Sequence, residues 1–307
     1  MNIAVVGLGL IGGSLALRLA DAGHPVSGWD SDLATRSAAG TAGIAVGAGL
    51  GDAVAAADVV VLAVPLTTLT GAVAEIAGLL PPDAVLTDVG SVKGPAYAAA
   101  RRAGLAGRFV GGHPMAGKEF AGFAAAERTL FDGATWVLGL EPDTVLAHWL
   151  KLARLLTGIG ARVVPAAAAD HDAAVARISH LPHLLAAAVA SVASAGGPLA
   201  LSLAAGSFRD GTRVAGSPPD LSIAMCRDNA AAVDVAVAET VQLLAEDAAV
   251  LLRSGHAVRS GWPPPAVDGP PLDPADMTLR ERLLDLGRRG GWLSAVADDV
   301  LSVQGPA

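Results

Sequence analysis

The residues Asn2-Ile3-Ala4-Val5-Val6-Gly7-Leu8-Gly9-Leu10-Ile11-Gly12 decide the fold. A short β-branched run passes directly into a glycine-spaced loop. A helical apolar pattern through Leu15, Leu19 and Ala20 follows, and Gly23 stops it. A second apolar run, Pro25-Val26-Ser27-Gly28-Trp29, ends at Asp30. This strand–loop–helix–strand–acid order is the layout of a dinucleotide site. Gly7 permits the tight turn, Gly9 lets a pyrophosphate approach the backbone, and Gly12 lets helix and strand pack closely. The N–H groups at the helix start hold the phosphates. Asp30, about 20 residues past the loop, is placed to accept hydrogen bonds from the adenosine ribose hydroxyls. A carboxylate there repels a 2′-phosphate, and no arginine follows until Arg36, so NAD is expected over NADP.

Outward from this unit, further strands are expected at 59–64, 84–88, 108–111, 135–138 and 162–164, with helices between them at about 66–79, 92–103 and 142–157. Strands alternating with helices imply a parallel, doubly wound sheet. After Pro165 no strand is expected. Alanine- and leucine-rich helical stretches run over roughly 168–195, 198–206, 219–226 and 228–254, and the proline- and glycine-rich segment 261–273 reads as an ordered loop or linker. A helical pair at about 276–289 and 291–303 is expected to close the chain. The expected fold is therefore α/β: a Rossmann-type dinucleotide-binding domain over 1–165, then an all-helical domain over 166–307 for substrate binding and dimerisation. The ligand cleft is expected between the two.

Composition points to an intracellular enzyme. Hydrophobic residues make up 52% of the 307 and charged residues 16%, much of the excess being alanine, which suits packed helices. The longest apolar stretch, 184 to 195, contains serines and is too short to span a bilayer. Met1 leads straight into a strand, so no signal peptide is expected. The single cysteine, Cys226, cannot form an internal disulfide and fits a reducing, cytoplasmic compartment. The net charge of −8 with no basic cluster argues against nucleic acid. An anionic substrate would have to be caught by local positive groups.

Three segments carry candidate chemistry. Gly111-Gly112-His113-Pro114-Met115-Ala116-Gly117 follows the strand end Phe109-Val110, which puts His113 where ligands bind in α/β folds, and histidine exchanges protons near neutral pH. Taken alone, it reads more readily as a glycine-rich turn with an incidental histidine. Thr87-Asp88-Val89-Gly90-Ser91-Val92-Lys93 leaves a strand and opens a helix, so Ser91 either lies at the cofactor edge of the sheet or caps that helix. Ile178-Ser179-His180-Leu181-Pro182-His183 lies in a helical stretch, where Pro182 should kink the helix. Its two histidines share a face, and His171 adds a third. No carboxylate or cysteine completes a ligand set, and no metal is expected.

With Gly206-Ser207-Phe208-Arg209-Asp210-Gly211-Thr212-Arg213-Val214-Ala215 added, these motifs in this order resemble the prephenate/arogenate dehydrogenases of tyrosine biosynthesis, over residues 1 to about 255. The tail beyond Gly261 is too short and too helical to match the regulatory ACT domain that some members carry. The resemblance implies oxidative decarboxylation of a small anionic cyclohexadienyl acid by NAD in a homodimer. It assigns His113 to polarise the ring hydroxyl and Ser91 to orient His113. It assigns Arg213 to bind a substrate carboxylate, a role suited to its planar fork and one that expects it partly sheltered by Phe208 and Val214. Ser179 and His183 then belong to substrate binding, and a histidine at 183 favours prephenate over arogenate. Glu119 matches an acid at the pocket entrance of some relatives. Where some relatives carry a tryptophan, this chain reads Pro219-Asp220-Leu221-Ser222, which alters the expected pocket shape.

Two other classes share parts of this plan. A β-hydroxyacid dehydrogenase or imine reductase has similar architecture, but the hydroxyacid enzymes usually place a catalytic lysine on a helix of the second domain, and from Pro165 onward this chain has none. A non-catalytic NAD-sensing module would not need His113, Ser91 and Arg213 together.

Overall fold

The computed structural model describes residues 1–118 and 120–307. The first sheet contains β1 (Ile3–Val6), β2 (Val26–Trp29), β3 (Ala45–Val46), β4 (Val59–Leu62), β5 (Val85–Asp88) and β6 (Phe109–Val110). Its order is β3-β2-β1-β4-β5-β6 with every pairing parallel, the Rossmann arrangement. Such a sheet is covered on both faces, which is why β1 and β4 are apolar at every position. Ile3, Val5, Val59 and Val61 enter one core, and Ala4, Val6, Val60 and Leu62 enter the other.

The chain departs from a single parallel sheet at Gly111. One residue past β6 it re-forms as β7 (Gly112–Pro114), which begins a second, mixed sheet with β8 (Thr135–Gly139) and β9 (Arg162–Ala166). The strands expected at 135–138 and 162–164 therefore exist but lie outside the parallel sheet. β8 pairs parallel with β9 and antiparallel with β7.

The tail is the main correction. The helix expected at 291–303 is a strand pair, β11 (Trp292–Val296) and β12 (Leu301–Pro306), and β10 (Ala266–Asp268) forms within the 261–273 segment. These strands extend the second sheet in the order β10-β12-β11-β9-β8-β7. Gly290, at φ 78°, ends the preceding helix Leu279–Arg288. Beyond it, Leu293 is buried on β11, and Leu301 and Val303 on β12 are buried with the period of two that marks a half-buried strand. The helix itself lies on β9, where a Cβ at Gly287 would stand 1.8 Å from the Pro165 carbonyl oxygen. One compact unit accordingly contains Met1–His171 and Pro264–Ala307, and the other contains Asp172–Pro263. The helical part is thus an insertion between two portions of the first unit, and residues 264–307 do not belong to it.

The second unit is helical throughout, with helices Leu181–Ala195, Gly197–Ser202, Gly206–Thr212, Asp220–Asp228, Ala230–Leu244 and Ala248–Ser260. Its small buried core gathers Ala176, Val233 and Ala236. The helical run Ala168–Ala195 is continuous over 28 residues, longer than the apolar stretch read from the sequence, and by length and composition alone it could cross a membrane. It also carries Asp170, His171, Asp172, Arg177, His180 and His183. Just before Pro182, which has no N–H to donate four residues back, the run widens into a π-helical turn at Ala176–His180.

Candidate functional site

The glycine loop is built as its spacing requires. Gly7 has φ 92°, a conformation open to glycine, and a Cβ there would stand 2.4 Å from the Ala63 carbonyl oxygen. A Cβ at Gly12 would come within 1.9 Å of the Gly7 carbonyl oxygen. Gly9 differs, because a Cβ there would meet no atom within 4 Å. Internal packing does not demand glycine at position 9, whereas a group lying against the loop would. Gly9 also begins the helix Leu10–Asp21, whose first turn has no side-chain cap, so its amides face outward. Asp30 follows β2 and accepts from the Leu8 N–H at 2.7 Å and from the Asp32 N–H at 2.9 Å, which ties the acid to the loop. These residues fit a dinucleotide: helix-start amides for its phosphates, and a carboxylate at the end of β2 for its ribose.

Along the same carboxyl edge, past β5 and β6, lies a second group. Asp88 and Lys93 are both fully buried and form an ion pair. Lys93 Nζ also donates to the Gly112 carbonyl at 2.6 Å, and Asp88 Oδ1 accepts from the Gly112 N–H at 3.1 Å. The Gly111 N–H donates to the buried Tyr97 hydroxyl at 3.0 Å, and burial raises the pKa of that phenol. Gly111 and Gly112 are small for packing reasons. A Cβ at Gly111 would meet the Tyr97 ring at 2.9 Å, and one at Gly112 would meet the Asp88 carbonyl oxygen at 2.6 Å. His113 is the next residue, half-buried, and held in register opposite Val137 of β8.

His113 Nδ1 lies 2.8 Å from Nε2 of His171, on the helix Ala168–Val175. From the sequence alone His171 reads only as a third metal candidate, and Lys93 carries no assigned task. Their signal was the sequence itself: a lysine five residues after an acid at a strand end, and a histidine opening a helix. Ser91 is half-buried in the β5-to-helix connection. It does not cap the following helix Gly94–Arg102, whose N-cap is Lys93, and its hydroxyl bonds to none of the described residues. The ring nitrogen that faces His113 Nδ1 is Nε2 of His171.

The other site candidates belong to the helical unit. His183, half-buried, has Nδ1 3.2 Å from the Ser222 hydroxyl, so the departure at 219–222 supplies its partner. Ser179 is half-buried in the π-helical turn. Beside it His180 is fully buried, and Asn229 Nδ2 donates to the Asp172 carbonyl at 2.8 Å and lies 3.3 Å from His180 Nδ1. Arg213 starts the short 3₁₀ turn Arg213–Gly216 and is exposed, so the partial shelter expected from Phe208 and Val214 is not seen among the described residues. Among the described residues no three His, Cys, Asp or Glu side chains gather as a metal cluster. Glu119 lies outside the described residues.

The family model for the nucleotide-binding domain of prephenate dehydrogenase matches residues 14–165, and that for its dimerization domain matches residues 167–255. The chain belongs to the prephenate dehydrogenase family. It is 35% identical to prephenate dehydrogenase of Lactococcus lactis over 223 residues, covering 70% of this chain and 61% of the relative. It thus spans about three fifths of that relative's length. The crystal structure of Synechocystis arogenate dehydrogenase is similar at a TM-score of 0.72 and 33% identity, covering 86% of this chain and 94% of that one. Prephenate dehydrogenase from Aquifex aeolicus, in complex with hydroxyphenyl propionate and NAD+, aligns at a TM-score of 0.76 and 27% identity over 85% of this chain and 94% of that one. Family membership displaces the hydroxyacid dehydrogenase alternative. The tail strands 264–307 fall beyond both matched domains.

Proposed function

We propose that the chain catalyses the NAD-dependent oxidative decarboxylation of prephenate to 4-hydroxyphenylpyruvate. One observation carries the reading: the backbone just before a histidine, held at Gly112 by a buried ion pair, leaves the carboxyl end of β6 in the same parallel sheet whose β1 opens the dinucleotide loop. The residues that would hold NAD are Gly7, Gly9, Gly12 and Asp30, and NAD supplies the hydride acceptor for the substrate's C4 hydrogen. His113 accepts the proton of the 4-hydroxyl as that oxygen becomes a carbonyl. The ring carboxylate then leaves as CO2, its bonding pair enters the ring, and the carbonyl oxygen takes up a proton as the phenol forms. Aromatisation drives this last step, so the protein has mainly to orient and polarise. Arg213 engages a substrate carboxylate, and Ser179 and His183 face the side chain that distinguishes prephenate from arogenate. Ser91, in the connection after β5, would border the nicotinamide end of a bound NAD.

The helical unit suits a homodimer. Val192, Leu199, Leu203, Leu221, Leu252 and Val258 are 71–73% exposed, an apolar surface that a second copy would cover, and the unit matches a dimerization domain. A cytoplasmic location accords with the lone thiol of Cys226. Initial rates with prephenate and arogenate, each with NAD and NADP, test the assignment. The highest kcat/KM is expected for prephenate with NAD. A higher value for arogenate would transfer the substrate assignment, and no turnover of either would reject the function.

A further inference from the structure

His113 meets His171 edge to face, with ring centroids 5.1 Å apart, planes at 77° and Nδ1 2.8 Å from Nε2. His171 is 3% exposed, and its helix is anchored at that residue by a 2.9 Å bond from its N–H to the Ala167 carbonyl. Two imidazoles share a hydrogen bond only when one carries a proton on the shared edge and the other does not. If His113 Nδ1 accepted, its own proton would sit on Nε2, and that edge would be a donor unable to take a hydroxyl proton. If His113 donates from Nδ1, its Nε2 carries the lone pair. Once His113 has taken the proton, both its ring nitrogens are donors, so the pair survives only with His171 accepting at Nε2. One arrangement serves before and after proton transfer, and in it the bond becomes charge-assisted and stronger as the imidazolium forms.

We propose that His171 is a positioning residue that holds His113 in its Nδ1–H tautomer, so that Nε2 is the edge offered to the substrate hydroxyl. The proposal rests on His113 being the hydroxyl acceptor. It assigns to His171 the task that Ser91, whose hydroxyl bonds to none of the described residues, was expected to perform.

The test compares His171→Gln with His171→Leu. The glutamine amide oxygen can stand near the former Nε2 and accept from His113, whereas leucine fills the volume without an acceptor. With prephenate and NAD, His171→Leu is expected to lose about ten- to a hundredfold in kcat, part of what a well-placed base contributes. Its KM and NAD affinity should hold, and His171→Gln should recover most of the loss. In long-range ¹H–¹⁵N spectra of the wild type, the signal missing from His113→Asn should show the Nδ1–H tautomer. Full activity of His171→Leu, equal loss in both variants, or an Nε2–H tautomer at His113 would overturn the proposal. If His171→Leu does not fold, the glutamine variant and the tautomer spectrum still decide. Normal turnover of His113→Asn would instead remove the acceptor role on which the proposal rests.

Discussion

The ammonium group of Lys93 donates to the backbone carbonyl of Gly112 at 2.6 Å while pairing with Asp88, and both charged side chains are withdrawn from water. Asp88 in turn accepts from the N–H groups of Gly112 and Gly90, at 3.1 and 2.9 Å. The end of β5, the start of the following helix and the start of β7 are thereby one unit, and His113 is the next residue along. Removing one partner of a buried pair leaves the other charge uncompensated, at about 3–5 kcal/mol. Lys93→Met is expected to lower the urea-unfolding free energy by about that amount. Arg289 pairs with Asp285 at the exposed end of helix Leu279–Arg288, and a loss as small as that of Arg289→Met would contradict the clamp.

The glycine loop separates two kinds of glycine. Gly12→Ala drives a methyl group into the Gly7 carbonyl, so it should destabilise the fold and weaken NAD binding together. Gly9→Ala adds its methyl to open space, so thermal unfolding should be unchanged while NAD affinity falls about tenfold or more. Differential scanning fluorimetry with fluorescence titration of NAD checks both. Unchanged affinity in Gly9→Ala would mean that the cofactor does not lie against this loop.

Asp30 accepts from the loop's Leu8 N–H at 2.7 Å, which fixes the carboxylate beside the cofactor's expected ribose. Asp30→Ser removes the charge that would repel a 2′-phosphate. The ratio of kcat/KM for NAD to that for NADP should fall by about tenfold, or 1.4 kcal/mol. A wild type that already prefers NADP would contradict this role.

The tail is part of the first unit's core. Leu293 is fully buried, paired in register with Val163 of β9. Leu293→Ala should lower the unfolding free energy by about 2–5 kcal/mol, as measured in urea. A neutral effect would mean that residues 264–307 are an appendage.

What the sequence disclosed follows from the range of the forces involved. The Gly7–Gly12 loop, its flanking strands and Asp30 were legible because a turn, a helix start and an acid are written in consecutive residues. The tail strands are not legible because helix Leu279–Arg288 has a strong helical period, and the alternation in Leu301-Ser302-Val303-Gln304 is too short to announce itself until β11, itself paired to β9, supplies a pairing edge. The contacts of Lys93 and His171 are not legible for a related reason. Each acts on a backbone or ring brought to it by folding, Gly112 across 19 positions and His113 across 58, and spacing alone does not encode such contacts. Ser91 shows the converse: its motif is legible, but its hydroxyl bonds to none of the described residues.

The most direct measurement of the central claim is the turnover of His113→Asn with prephenate and NAD, alongside its NAD affinity. His113 is assigned as the acceptor of the ring-hydroxyl proton and lies outside the glycine loop. NAD affinity should therefore match the wild type while kcat falls by about 10²–10⁴-fold. Near-normal kcat in this variant would contradict the account.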